Sequence, residues 1–143
     1  MTTQLHDSKS TSDIDLLCAK ALDTLGYYRA GDLARTFSVE ALGSWRAHCQ
    51  IFALAFEDQA AYPAFQFTPE GLDHSAGAAN AALPLAMSAT QRLLWWAMPD
   101  ELGGSHVESL ETAPDRVIAQ ARELSDQWDL AAAVDAVFAT RRA

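Results

Sequence analysis

The sequence predicts a mainly α protein: an N-terminal winged helix-turn-helix-like unit with a small β-hairpin, followed by a C-terminal helical domain. Three observations predict it. Alanine is the commonest residue while valine and isoleucine together number only eight, a balance that favours helices over a large parallel sheet or a β-sandwich. Apolar residues recur at three- and four-residue spacing in several stretches, as one face of a helix requires. Two flanks rich in bulky apolar and aromatic residues bracket the polar turn Glu57–Asp58–Gln59 and read as a hairpin.

Residues 1–11 are polar and short of hydrophobes and are expected to be a disordered arm. Ser12, with Asp15 three positions on, resembles a capping box that opens a first helix. Its stripe is Ile14, Leu17, Cys18, Ala21, Leu22 and Leu25, and Gly26 supplies the stop. Leu33, Ala34, Phe37 and Val39 have the spacing of two short helices crossing through a tight turn, where small Ala34 permits close approach. The second of these, read as residues 38–50, would be the reading helix, and the hairpin after it the wing. Residues 12–67 thus form one unit. Over residues 68–80 the composition shifts to Gly, Pro, Ser, Asp and His, which predicts a linker. In the second unit, 81–143, Ala81–Met87 is a candidate short helix and Ser88 caps one carrying Leu93 to Met98 up to Pro99. Val107–Leu110 reads as a helical turn. Pro114 opens a helix with Val117, Ile118, Ala121 and Leu124 on one face, and a last helix starts near Asp126 with Leu130, Val134, Val137 and Phe138.

With 50% hydrophobic and 20% charged residues the chain should fold, as one ordinary domain or two very small ones. Its net charge of −9 disfavours broad electrostatic attachment to nucleic acid or to an anionic membrane. No secretory signal and no membrane span is read, so the expected compartment is the cytoplasm. Cys18 and Cys49 lie far apart in apolar patterns and read as buried thiols.

None of the four histidines sits in a spacing that builds a catalytic or metal site. His48 and Cys49, as neighbours on a helix, would diverge by about 100° and grip one ion poorly. His106 follows Gly-Gly-Ser without a nucleophile elbow or an orienting carboxylate. His6 and His74 lie in polar stretches. Neither GxGxxG nor GxxxxGK[ST] occurs, so no catalytic residue, cofactor or enzymatic activity is expected. Two features remain. Gly103–Gly104 allows either a plain turn or the close approach of another chain. Trp95 and Trp96 point about 100° apart on a helix, so they read either as core or as a docking anchor.

Two stretches resemble a known family. The run Trp45-Arg-Ala-His-Cys-Gln-Ile-Phe-Ala-Leu54, with Tyr62-Pro-Ala-Phe-Gln-Phe67, is similar to the end of the reading helix and the wing in antitoxin-like proteins of the Xre/MbcA/ParS group. The run Leu93-Leu-Trp-Trp-Ala-Met-Pro-Asp-Glu-Leu-Gly-Gly104, with Val107–Leu110 and Arg116-Val-Ile118, resembles their C-terminal toxin-binding domain. Where members usually follow Gly-Gly with Arg, Thr and Pro, this chain has Ser105, His106 and Val107. The resemblance implies an antitoxin whose C-terminal half covers the active site of a cognate toxin of RES-like or ADP-ribosyltransferase-like fold that consumes NAD. It also implies an N-terminal helix-turn-helix that serves operator DNA or dimerisation.

The first functional expectation is therefore a protein-binding module, an antitoxin docking through Trp95, Trp96, Leu102, Gly103, Gly104 and His106 and through the terminal pair Arg141 and Arg142. A second is a transcriptional regulator binding DNA as a homodimer, with Arg29, Arg35, Ser44, Arg46 and His48 at the contact. Only Arg46 among the exposed positions of the expected reading helix is a permanent cation, and Gly43 weakens that helix. A third is an adaptor or dimerisation unit that has lost DNA binding.

Overall fold

The computed structural model describes residues 2–99 and 104–142, with side chains placed over 13–99 and 104–131. These residues form a mainly helical protein with a small antiparallel sheet. The order is α1 (Thr2–Leu25), β1 (Tyr27–Arg29), α2 (Ala30–Thr36), α3 (Val39–Ala47), β2 (Leu54–Phe56), β3 (Gln59–Pro63), a 3₁₀ turn (Ala64–Gln66), β4 (Phe67–Thr68), β5 (Gly71–Leu72), α4 (His74–Ala82), α5 (Ala89–Ala97), α6 (His106–Thr112) and α7 (Pro114–Arg142).

The helix starts follow side-chain chemistry. Ser38, Asp73, Ser88 and Ser105 each accept a hydrogen bond from the backbone N–H three residues on, satisfying a donor that the first turn leaves open. At α5 the Gln91 side chain returns the bond to the Ser88 N–H, at 2.8 Å. Gly26, at φ +77°, ends α1 and hands the chain to β1.

In the sheet β3 is central, antiparallel to β1 on one side and β2 on the other, with Tyr28 opposite Tyr62 and Leu54 opposite Ala61. The β2–β3 turn holds Glu57 and Asp58 at φ +52° and +63°, the left-handed pair that suits the twist of a tight hairpin. The expected hairpin is present, with shorter arms than the composition suggested. Strand β1 was not foreseen.

Four boundaries differ from expectation. Helix α1 begins at Thr2, upstream of the Ser12 start and within the span expected to be an arm. Helix α3 ends at Ala47, so Cys49, at φ +58°, lies beyond it and not on a helix. Helix α7 is continuous through Asp126, because nothing between Leu124 and Leu130 breaks a helix. The segment read as a linker is structural: it contains β5 and α4, with Ala76, Ala79 and Asn80 fully buried. Its small residues, which resemble linker composition, let α4 approach its neighbours. A Cβ on Gly77 would stand 2.9 Å from Leu72 Cδ2.

The two halves consequently share one core. Cys18, Leu22, Phe52, Leu54 and Ala61 from the N-terminal half pack with Leu83, Leu93, Trp96, Leu110, Val117 and Ala121 from the C-terminal half. A smaller cluster of Leu33, Ile51 and Tyr62, with Phe37, Trp45 and Phe67 against it, holds α2 and α3 to the sheet.

Candidate functional site

The C-terminal face expected to dock a partner is built where α5 ends and α6 begins. Ser105 pairs with Pro99 in an isolated antiparallel bridge and caps α6, which places His106 on the first turn beside Trp95. The His106 ring lies flat on the Trp95 indole, centroids 3.9 Å apart and planes 12° from parallel, with Nδ1 2.7 Å from the Trp95 carbonyl oxygen. Trp95 is half-buried and meets Trp96 edge-on at 5.0 Å. Gly104 sits above α6, close to the Glu108 side chain. Leu102, Gly103 and the side chains of Arg141 and Arg142 lie outside the described residues.

Trp96 is a correction. It has no exposed surface, packs against Phe65 at 4.5 Å and donates from Nε1 to Asn80 Oδ1 at 2.8 Å, so it is core and not an anchor. That bond belongs to a buried polar network. Asn80 Nδ2 donates to the Gln50 carbonyl at 2.9 Å and to Gln66 Oε1 at 3.0 Å. Gln66 in turn accepts from the Phe52 N–H and donates to the Phe52 and Pro63 carbonyls, so its amide pairs with the backbone as a strand neighbour would.

Arg92 closes the network without a carboxylate. Its guanidinium donates to the carbonyls of Asn80, Pro84 and Met87 at 3.0, 2.9 and 3.4 Å. Asn80 lies in the last turn of α4, where the helix dipole favours a cation, and Pro84 and Met87 belong to the connection to α5. Burial holds its pKa below the ordinary arginine value. None of Gln66, Asn80 and Arg92 was picked out in the sequence, where each is a polar residue in an apolar or alanine-rich run.

The residues expected to contact DNA divide. Arg29 is committed inside the chain: its Nη1 donates to the carbonyls of Phe56 at 2.8 Å and Gln59 at 3.3 Å, and its guanidinium covers the rings of Tyr27 and Phe56. It clamps the hairpin turn and is not a free phosphate ligand. Arg46 is exposed and reaches the Tyr62 hydroxyl at 3.5 Å. Ser44 is exposed, and its carbonyl lies 2.8 Å from His48 Nδ1. Arg35 is exposed on α2, at the rim of a cavity of about 640 Å³ lined by Tyr28, Leu33, Phe37 and Phe67. Helix α3 buries no residue at all.

A further feature was missed. An apolar groove of about 490 Å³ runs between α1 and the α5–α6 junction, walled by Leu17, Lys20 and Leu25 on one side and by Leu94, Met98, Val107 and Glu108 on the other. The sequence hid it, because Leu17 falls on the expected apolar stripe of the first helix and is instead 56% exposed.

Among the described residues no group of three or more His, Cys, Asp or Glu side chains could hold a metal ion. No described helix is long and apolar enough to cross a membrane. No family model matches the chain, and no curated protein or solved structure matches it.

Proposed function

We infer that this chain is an antitoxin-like protein that binds and occludes a cognate toxin through its C-terminal half. The observation that carries the reading is the His106–Trp95 platform: a half-buried indole covered by a flat imidazole, fixed by stacking and by a bond to the backbone, directly after Gly104. A rigid aromatic surface held this way binds a partner with little further ordering cost. The resemblance of Leu93–Gly104 to antitoxin toxin-binding domains supplies the partner class, a RES-like or ADP-ribosyltransferase-like toxin.

The test uses the full chain against a RES-like toxin encoded beside its gene. Calorimetric titration should give binding, and His106→Ala should weaken it by about tenfold, as loss of a central contact does. Removal of Arg141 and Arg142 should weaken it as well. Affinity unchanged in both variants would remove this face from the interface. Failure to bind or neutralise the toxin would end the reading.

A second reading, operator DNA binding by the N-terminal half, is favoured by one observation. The order α1, β1, α2, α3, β2, β3 with sheet order β1-β3-β2, and an α3 that buries no residue and exposes Ser44, Arg46 and the following His48, support that reading. Arg35, Ser44, Arg46 and His48 would face the duplex. Arg46→Ala should then reduce affinity for the upstream region of the gene and lower the salt slope by about one. No gel shift at low salt would exclude it.

A further inference from the structure

Leu17 and Met98, 56% and 57% exposed, face the same groove from opposite walls, above the half-buried Leu25, Leu94 and Val107. Single exposed hydrophobes are ordinary, whereas several converging on one concavity mark a contact surface. The α1 wall presents Leu17, Lys20, Ala21 and Thr24, spaced as one helix face, in a helix of 24 residues and about 36 Å. Small Ala21 and Thr24 let another helix come close to that face.

The occupant follows from charge. Each copy of this chain carries −9, so two copies repel unless they meet where charges are matched. Among the described lining residues the groove meets that condition, with a cation on one wall, Lys20, and an anion on the other, Glu108. A two-fold interface joins a surface to itself, so a wall bearing one sign meets the wall bearing the other, twice. The cavity beside Tyr28 also carries both signs, Asp32 and Arg35, but there the Asp32 carboxylate already accepts the Arg29 N–H at 3.1 Å.

We propose that this groove is the interface of a homodimer, with α1 of a second copy antiparallel along it, each Leu17 inserted into the other's cavity and each Lys20 facing the other's Glu108. The proposal does not depend on the toxin or on DNA.

Sedimentation velocity on the full chain measures it directly. The wild-type protein should be a dimer, and Leu17→Asp should be a monomer with unchanged helical circular dichroism. Lys20→Glu and Glu108→Lys should each weaken the dimer by about tenfold, since each places two like-charge pairs in the contact. The double variant Lys20→Glu/Glu108→Lys should recover wild-type affinity, because the swap restores both opposite-charge pairs across the contact. If Leu17→Asp loses its fold, the charge series alone decides. A wild-type monomer at about 100 μM, where even a weak interface fills, overturns the proposal and leaves the groove to a different protein. A dimer indifferent to these substitutions, or not restored by the swap, overturns it too.

Discussion

At the scale of single residues, Asn80 is the centre of the molecule. Its side chain accepts from Trp96 and donates to Gln50 and Gln66, and its carbonyl accepts from Arg92. A buried amide is tolerated only when its donors and acceptors are met, and leaving one open costs about 1–3 kcal/mol. Trp96→Phe keeps most of the apolar volume but removes the indole N–H, leaving Asn80 Oδ1 unpaired. It should lower unfolding free energy by about 1–3 kcal/mol in a urea titration; an unchanged midpoint with unchanged slope would show that Asn80 finds another donor. Trp96→Ala should cost about 3–5 kcal/mol. It therefore reports on stability, whereas His106→Ala reports on the docking face. The helical setting of Trp95 and Trp96 was legible from spacing. Which indole was core was not, because that depends on Phe65 and Asn80, brought in from 31 and 16 positions away only by folding. The role of Arg29 was hidden for the same reason: a guanidinium looks available in sequence until a hairpin 27 residues on offers it carbonyls.

At the scale of elements, local chemistry decided most of what could be read. Helix α5 begins directly after its Ser88 cap and α7 at Pro114, as cap and first position demand. The hairpin turns at Glu57–Asp58, where neither residue is the one such a turn prefers. The variant Glu57→Asn/Asp58→Gly puts the favoured pair at both left-handed positions and should stabilise the protein by about 1 kcal/mol, measured as a raised thermal midpoint. No gain would mean that contacts outside the turn set its geometry. Elements built from small residues were illegible. Residues 68–80 read as a linker because Gly, Pro, Ser, Asp and His are turn and loop residues, yet the small residues of this stretch let α4 sit against Leu72 and the core. The division of the last helix failed for the opposite reason. A composition without breakers marks no boundary, and the expected one near Asp126 rested on the change of stripe alone.

At the scale of the whole molecule, the shared core makes a testable statement about cooperativity. Leu22, Leu54 and Ala61 pack in the same cluster as Leu93, Trp96 and Val117, so neither half buries its own apolar face alone. Equilibrium unfolding should therefore be one transition, with tryptophan fluorescence and far-ultraviolet circular dichroism superimposing in urea. Two separated transitions would restore the picture of two independent units. The sequence by itself determined the helical class, the hairpin, the Ser88 cap, the Pro114 start and an acidic net charge, because each depends on neighbours within about a turn or on composition summed over the chain. Only the tertiary structure decided that the halves are joined, that Trp96 and Arg29 are spent internally, and that Leu17 and Met98 open onto one groove. Those facts concern residues far apart in the chain, and a local pattern holds no record of which distant group will complete a hydrogen bond or close a cavity.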